Sequence, residues 1–555
     1  MRGGKSIKDR YLWVGGILGL LLFLVTSWSD PSVRQTYAVD SEGAAAKAAA
    51  FWKEHGVDTA GYTSTVLMQN DQLADGYLGQ QNLQQEFVKK GYSGRPIVYW
   101  TVTYNEPNGR NHWTTKIDPD TGQIVTWQRT DAAPAQNLEE AARKQLAMQA
   151  LTALGVQVPD LTVATETSSL KSKRSGDLPA LPKDDPNFRT YLYEYKVPAS
   201  EWQLGDLTLS YEVRITGDLV RQVSYTYQTP VSFQTWHDRQ EKIGMILTGL
   251  SLFFTFVLFV LAFVFLFLNK QKKPWWSALW MSLLVTGLFA LSNLNEWPTL
   301  RQQFVEAGST GAAQTIGFVV VLVVVAILAV LVGGASYVLI ATGGGLVKEV
   351  NPKLWTPWRS PEWGVCLRRA MWRGWALCFI WLTLQNAFYW VAQHVFGVWF
   401  ENDFSMSPSN MTFPLLMPLM AWMAGLQEET TYRLFGVTFF KRYWKSSFLA
   451  CLLPAMVWAL GHSLYPIYPV YTRFIELTLF GLLIGYCYLT WGFETVLFAH
   501  VAFDAVQMAL PFLFGGNGKE IAIGVLYLVS PIVIGWGLSL VKSRKRLPGT
   551  ESPPL

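Results

Sequence analysis

The chain has 555 residues, half of them hydrophobic and only 15% charged, whereas soluble chains carry about 25% charged residues. The length allows two or more domains. The net charge of +5 is gathered beside apolar runs, which is a topology signal. With no zinc-finger spacing and no nucleic-acid module, a nucleic-acid partner is excluded.

In chain order, Arg2, Lys5, Lys8 and Arg10 lead into an apolar run at 11–28. The following Ser29-Asp30-Pro31 lacks a small-x-small cleavage site, so 1–28 is expected to be an uncleaved signal anchor. Residues 29–240 have the composition of a soluble domain and hold none of the four cysteines, Cys366, Cys378, Cys451 and Cys487. A disulfide framework there is excluded, and the four thiols read as apolar packing. An internal repeat is visible in the same region. The first copy has a helix at 41–56 and strands at 96–104 and 112–128; the second has a helix at 137–155 and strands at 190–197 and 208–227. Each copy places a glycine turn, Gly122 or Gly217, between alternating strands, a hairpin signal. The pattern resembles the PepSY-type α+β module.

A bilayer core about 30 Å thick calls for roughly 20 apolar residues per helix. That predicts ten spans, at 11–28, 243–268, 275–293, 314–341, 371–399, 413–440, 447–464, 474–491, 493–513 and 521–541. With the N-terminus inside, every inner loop is basic: Asn269-Lys-Gln-Lys-Lys273, the stretch 348–373, Lys441-Arg-Tyr-Trp-Lys445, and the tail from Lys542 to Arg546. Glu296, Glu401 and Asp403 fall outside, as the positive-inside rule requires. The expected fold is thus a polytopic α-helical membrane protein with an extracytoplasmic α+β domain at 29–240, both termini cytoplasmic. Accessory helices fill 241–369, a helical core 370–541, and a basic cytoplasmic tail 542–555.

Three motifs on separate spans carry chemistry: Glu428-Glu429-Thr430-Thr431-Tyr432-Arg433, Trp458-Ala459-Leu460-Gly461-His462, and His500-Val501-Ala502-Phe503-Asp504. A charge at the bilayer centre costs roughly 2.5–3.5 kcal/mol, so such groups are paired or functional. Glu429 and Arg433 are four apart and share a helix face, which predicts a structural ion pair. Glu428 lies about 100° away and is left for chemistry. At about 1.5 Å per residue, Glu428 stands roughly 20 Å above Lys441 and His462 roughly 22 Å above Ser447. His500 and Asp504 stand roughly 12 and 18 Å above Gly492 on the same rise. The four groups therefore converge within the bilayer. A carboxylate and an imidazole can activate water, and a second imidazole with a polar neighbour can stabilise an oxyanion. No nucleophile elbow, phosphate loop or His-Glu-x-x-His is present. His55, His112, His237 and His394 read as structural.

The Glu-Glu-x-x-x-Arg, aromatic-x-x-x-His and His-x-x-x-Asp runs resemble, in order and spacing, the CPBP family of intramembrane proteases, which includes CAAX prenyl endopeptidases and bacteriocin-processing members. The resemblance covers roughly 370–541. It implies a multi-pass bacterial membrane endopeptidase acting on a membrane-associated peptide or protein. Glu428 would be the general base, His462 its partner, and His500 with Asp504 the oxyanion side. Two residues depart from the family pattern: Trp458 stands for the more usual Phe, and Asp504 for the Asn of CAAX-type members. A carboxylate donates to an oxyanion only when protonated, and it can instead ligate a metal beside His500. A divalent ion such as Zn2+ on Glu428, His462, His500 and Asp504 and a metal-free glutamate mechanism are both compatible with the set. The competing readings are a catalytically silent binding or immunity member and a proton- or ion-coupled transporter.

Overall fold

The computed structural model describes residues 7–29, 37–90, 95–106, 111–131, 133–156, 158–159, 161–164, 188–306, 311–405, 407–515 and 518–543. Arg2, Lys5, Asp30, Pro31 and the tail from 544 onward lie outside the described residues.

The region before the long helices folds around one antiparallel sheet. Its strands are β1 (Thr63–Asn70), β2 (Val98–Asn105), β3 (His112–Ile117), β4 (Ile124–Arg129), β5 (Thr162–Ala164), β6 (Thr190–Lys196), β7 (Thr208–Thr216) and β8 (Leu219–Gln228), in the spatial order β1-β2-β3-β4-β8-β7-β6-β5. The two halves mirror each other across the β4–β8 seam. Each half opens with a helix, Ser41–Glu54 or Glu140–Ala153. The first is capped by Asp40, whose carboxylate accepts from the Gly43 amide at 2.8 Å. It buries Ala44, Ala48 and Trp52, one stripe at helical spacing. The opposing strand presents alternate residues to it: Tyr104 donates to the Ala45 carbonyl at 2.9 Å and Trp100 to the Val39 carbonyl at 2.8 Å. Gly122 and Gly217 have φ of 72° and 60°, the left-handed conformation that glycine adopts most readily at a turn. The strands β1 and β5, at the two sheet edges, were not expected from the sequence.

Beyond residue 230 the chain is helical, and it is a polytopic helical membrane protein. Among the described residues eight helices are long and apolar enough to cross a bilayer. The sequence reading expects ten spans. The other two are the stretch 418–443 and the helix Ser447–Leu460. The first carries Glu428, Glu429 and Arg433 and is not one α-helix: Pro418–Glu428 is α-helical, Glu429–Val437 is π-helical, and Thr438–Tyr443 returns to α. The second has 14 residues, about 21 Å of rise, short of the hydrocarbon thickness. It stops before His462, which lies in the turn beyond it. Other helices outrun expectation. Val231–Leu268 has 38 residues and Gly311–Val350 has 40, so both extend past the apolar segments that predicted them.

The first helix, Ile7–Ser29, packs lengthwise on Trp363–Phe396. Glycines allow the approach: a Cβ at Gly16 would stand 2.8 Å from that of Ala376, and one at Gly19 2.7 Å from the Phe379 carbonyl. Arg373 pairs with Asp9 at 2.8 Å, and Thr383 donates to the Gly19 carbonyl at 2.8 Å.

The sheet region rests on the helical region through polar and aromatic contacts. Asn410 accepts from the Met68 amide at 2.7 Å and donates to its carbonyl at 2.9 Å. Asp75 accepts from the Asn402 amide at 2.7 Å, and burial pushes its carboxyl up to about 6. His237 meets Glu401 at 2.7 Å. A short strand pair, β9 (Trp399–Phe400) and β10 (Ile467–Tyr468), lies at this junction. The rings of Phe233, Trp236, Trp399 and Tyr468 stack around it.

Candidate active site

The site is built where four chain segments meet. The helix Pro418–Glu428 approaches Phe493–Gly515 closely, because Gly425 has no side chain to hold Val501 away: a Cβ there would stand 2.9 Å from the valine methyl. At Glu429 the α-helix gives way to the π-helical segment, all of whose nine residues are buried. Such segments recur at functional sites. Gly436 faces Pro454 of the short helix Ser447–Leu460. The turn beyond that helix delivers His462, and the middle of Phe493–Gly515 delivers His500 and Asp504.

Glu428 lies between the two imidazoles. Its Oε1 is 3.8 Å from His462 Nε2, and its Oε2 is 3.8 Å from His500 Nε2. The Trp458 indole donates a short hydrogen bond to Oε2. His462 Nδ1 lies 2.9 Å from the Trp458 carbonyl, which can only accept, so Nδ1 carries the proton. His500 Nδ1 lies 2.8 Å from Glu429 Oε1 and is a donor for the same reason. Both Nε2 atoms therefore turn toward Glu428. Asp504 Oδ2 is 3.6 Å from His500 Nε2, beyond direct hydrogen bonding.

The expected Glu429–Arg433 pair is present at 3.1 Å, though on a π-helical turn. It is joined by His500, so Glu429 binds an imidazole of the site as well as its arginine. The Arg433 guanidinium lies 4.5 Å over the Trp458 ring. Exposure separates the two glutamates. The side chains of Glu429 and Arg433 are 0% and 1% exposed, while Glu428 and Asp504 are each 22% exposed and His462 17%. The second group is partly open and the first is sealed.

The donor types of Glu428, His462, His500 and Asp504 suit a divalent ion. Their arrangement is looser. Among the described residues, the only three such groups with ligand atoms all within 4.8 Å of one another are His237, Asp238 and Glu241, at the sheet–helix junction. The four site residues do not close around one point, so the chemistry below is derived from the side chains alone.

Sequence reasoning missed three features. The first is the Trp458 N–H on Glu428: the residue was noted only as a substitute for Phe. The second is the reach of Glu429 to His500, which needs the fold. The third is a buried network beside the site. Arg473 pairs with Glu476 at 2.6 Å, Gln385 donates to Glu476 at 3.0 Å, and Tyr389 donates to the same carboxylate. Arg473 also lies 4.9 Å over the Tyr465 ring, whose centroid is 5.5 Å from that of His462. The signal for this network was available, since Arg473 and Glu476 stand three apart at the edge of an apolar span.

No curated protein and no solved structure is significantly similar to the chain. Residues 410–506, which contain all three motifs, match a family model described as Rce1-like, type II CAAX prenyl endopeptidase. That match is consistent with the CPBP family and supports an intramembrane endopeptidase in general.

Proposed function

We propose that the chain hydrolyses a peptide bond of a membrane-associated peptide or protein, using water activated by Glu428 and His462. The observation that carries this reading is the Glu428 carboxylate held 3.8 Å from each of two imidazole Nε2 atoms. That gap is too long for a direct hydrogen bond and short enough for one water at about 2.8 Å from both atoms. Glu428 takes a proton from this water while its oxygen attacks the scissile carbonyl carbon, and the carbonyl π pair moves to oxygen. His462 Nε2 accepts the water's other hydrogen and orients it. Three carboxylates surround His500: those of Glu428, Glu429 and Asp504. As an imidazolium, His500 donates Nδ1–H to Glu429 and Nε2–H to the oxyanion. The intermediate collapses as the C–N bond breaks, and Glu428 returns its proton to the leaving amine. One water is consumed, and a carboxylic acid and an amine result, the acid then losing its proton to solvent.

The same reading places 29–240 outside the cell as a PepSY-like domain, with the basic loops in the cytoplasm. The division into anchor, ectodomain, accessory helices, protease core 370–541 and basic tail goes with it. The test uses purified full-length protein in nanodiscs and internally quenched peptides, farnesylated and unmodified, ending in CAAX-type sequences. Wild type should cleave an internal bond and Glu428→Ala should not. Cleavage by folded Glu428→Ala at the wild-type rate would refute the role of Glu428.

A further inference from the structure

We propose that Trp458 is the positioning residue of the Glu428–His462 pair: its indole N–H pins one oxygen of the carboxylate, and its own carbonyl pins the imidazole. This inference rests on the proposed peptidase reading for its catalytic consequence, though not for its geometry.

Trp458 Nε1 donates to Glu428 Oε2, and the Trp458 carbonyl accepts from His462 Nδ1 at 2.9 Å. One residue thus fixes both partners. Pinning Oε2 turns the other oxygen, Oε1, toward His462 Nε2, so the bond selects which oxygen faces the water. The indole is itself packed on several sides. It is 5% exposed, lies under the Arg433 guanidinium at 4.5 Å, and packs edge-on against His462 and His500 with centroids 5.3 and 6.1 Å away. A buried donor held on three sides loses little freedom when it binds the carboxylate, and a hydrogen bond to a charged group is among the stronger ones.

The two contacts respond differently to substitution. The carbonyl bond comes from the backbone, four residues before His462, and survives any side chain at 458. The N–H bond does not. Phenylalanine keeps an aromatic ring against Arg433 and the imidazoles but has no donor. Trp458→Phe therefore removes the pin on Glu428 and little else. Without it the carboxylate can rotate, and only part of the population presents Oε1 to the water.

The experiment has two arms on the full-length protein in nanodiscs. The first records indole N–H resonances of 15N-tryptophan-labelled protein. One signal displaced downfield by the carboxylate should vanish in Trp458→Phe and move back among the other indoles in Glu428→Ala. The remaining indole signals report whether each variant is folded, and Glu428→Ala reads the same bond from its acceptor side if Trp458→Phe is poorly folded. The second arm measures hydrolysis of the quenched farnesylated peptide. Trp458→Phe should lower kcat about tenfold and leave KM unchanged, since Trp458 acts through Glu428 and not through substrate binding. A Trp458 signal that ignores Glu428→Ala overturns the pin. So does a folded Trp458→Phe enzyme with wild-type kcat when Glu428→Ala is silent, and the peptidase reading then stands. If wild type cleaves nothing while the indole signal behaves as described, the peptidase reading falls and the pin is upheld.

Discussion

Two charged clusters lie side by side in the apolar helices, and they are built differently. Around Glu476 the partners are in direct contact: Arg473 at 2.6 Å, Gln385 at 3.0 Å, and the Tyr389 hydroxyl. Both carboxylate oxygens are taken, and the side chain has no exposure. Around Glu428, among the described residues, only Trp458 makes a direct hydrogen bond. Both imidazoles stand off at 3.8 Å, and Asp504 stands 3.6 Å from His500. A charge inside a bilayer must be satisfied. In the first cluster the Glu476 carboxylate is satisfied by its neighbours, which suits a part in the fold. The second is left incomplete by about the width of a water, which is what the proposed hydrolysis needs. Glu429 belongs to both kinds: it is sealed like Glu476, yet its partner His500 faces the open side.

Glu429 therefore offers the sharpest way to break the comparison. Glu429→Gln leaves Arg433 buried without its counter-charge, which costs about 3–5 kcal/mol, and it weakens the hold on His500. The expected result is a large loss of folded protein, measured by detergent-resistant size exclusion and thermal unfolding. Turnover per folded molecule should fall as well. Wild-type stability together with wild-type turnover would remove Glu429 from both clusters.

Asp504 tests the open side. If it acts as a donor it must be protonated, and Asp504→Asn, which donates at any pH and restores the residue usual in CAAX-type relatives, should retain or raise activity and extend it to higher pH. The measurement is peptide hydrolysis across pH with and without a strong chelator. A chelator-sensitive wild type with a folded but inactive Asp504→Asn protein would favour a metal ligand instead.

A test of stability alone lies in the sheet region. His112 on β3 is buried, its Nε2 has no partner among the described residues, and burial pushes its imidazole down to about 4. The unfolded chain takes up a proton near the ordinary value of about 6.5, where the fold does not. His112 therefore contributes its stability above about 6.5, and that contribution is lost as pH falls toward 4, by roughly 3 kcal/mol at the acid end. Melting curves of wild type and His112→Gln between these pH values should diverge, with wild type falling faster. Parallel curves would contradict the assignment.

Much of this contrast was readable before any coordinates. Apolar run length located the long helices, and the four-residue spacing of Glu429 and Arg433 identified their pair. Motifs on three expected spans pointed to the candidate site. What escaped has physical reasons. A π-helical turn leaves no mark in hydrophobic periodicity, so 413–440 read as one α-helix. The helix ending at Leu460 is followed by a turn whose apolar residues extend the pattern without extending the helix. The Trp458–Glu428 bond, the Glu429–His500 bond and the β9–β10 pair join residues far apart in sequence, and only packing brings them together. Arg473 and Glu476 were readable by the rule that singled out Glu429 and Arg433. They stand at the rim of a span, where charged residues are commonly solvated.

The most direct test of the central claim sets the two clusters against each other in one experiment. Glu428→Gln and Glu476→Gln are the same isosteric change in neighbouring places. Each variant is purified in nanodiscs, its folded fraction is measured by thermal unfolding, and hydrolysis of the quenched farnesylated peptide is expressed per folded molecule. The account predicts that Glu428→Gln folds as well as wild type and turns over at background, while Glu476→Gln loses folded protein but keeps most of its activity per folded molecule. Equal loss of turnover in both variants, or an active Glu428→Gln enzyme, would contradict it.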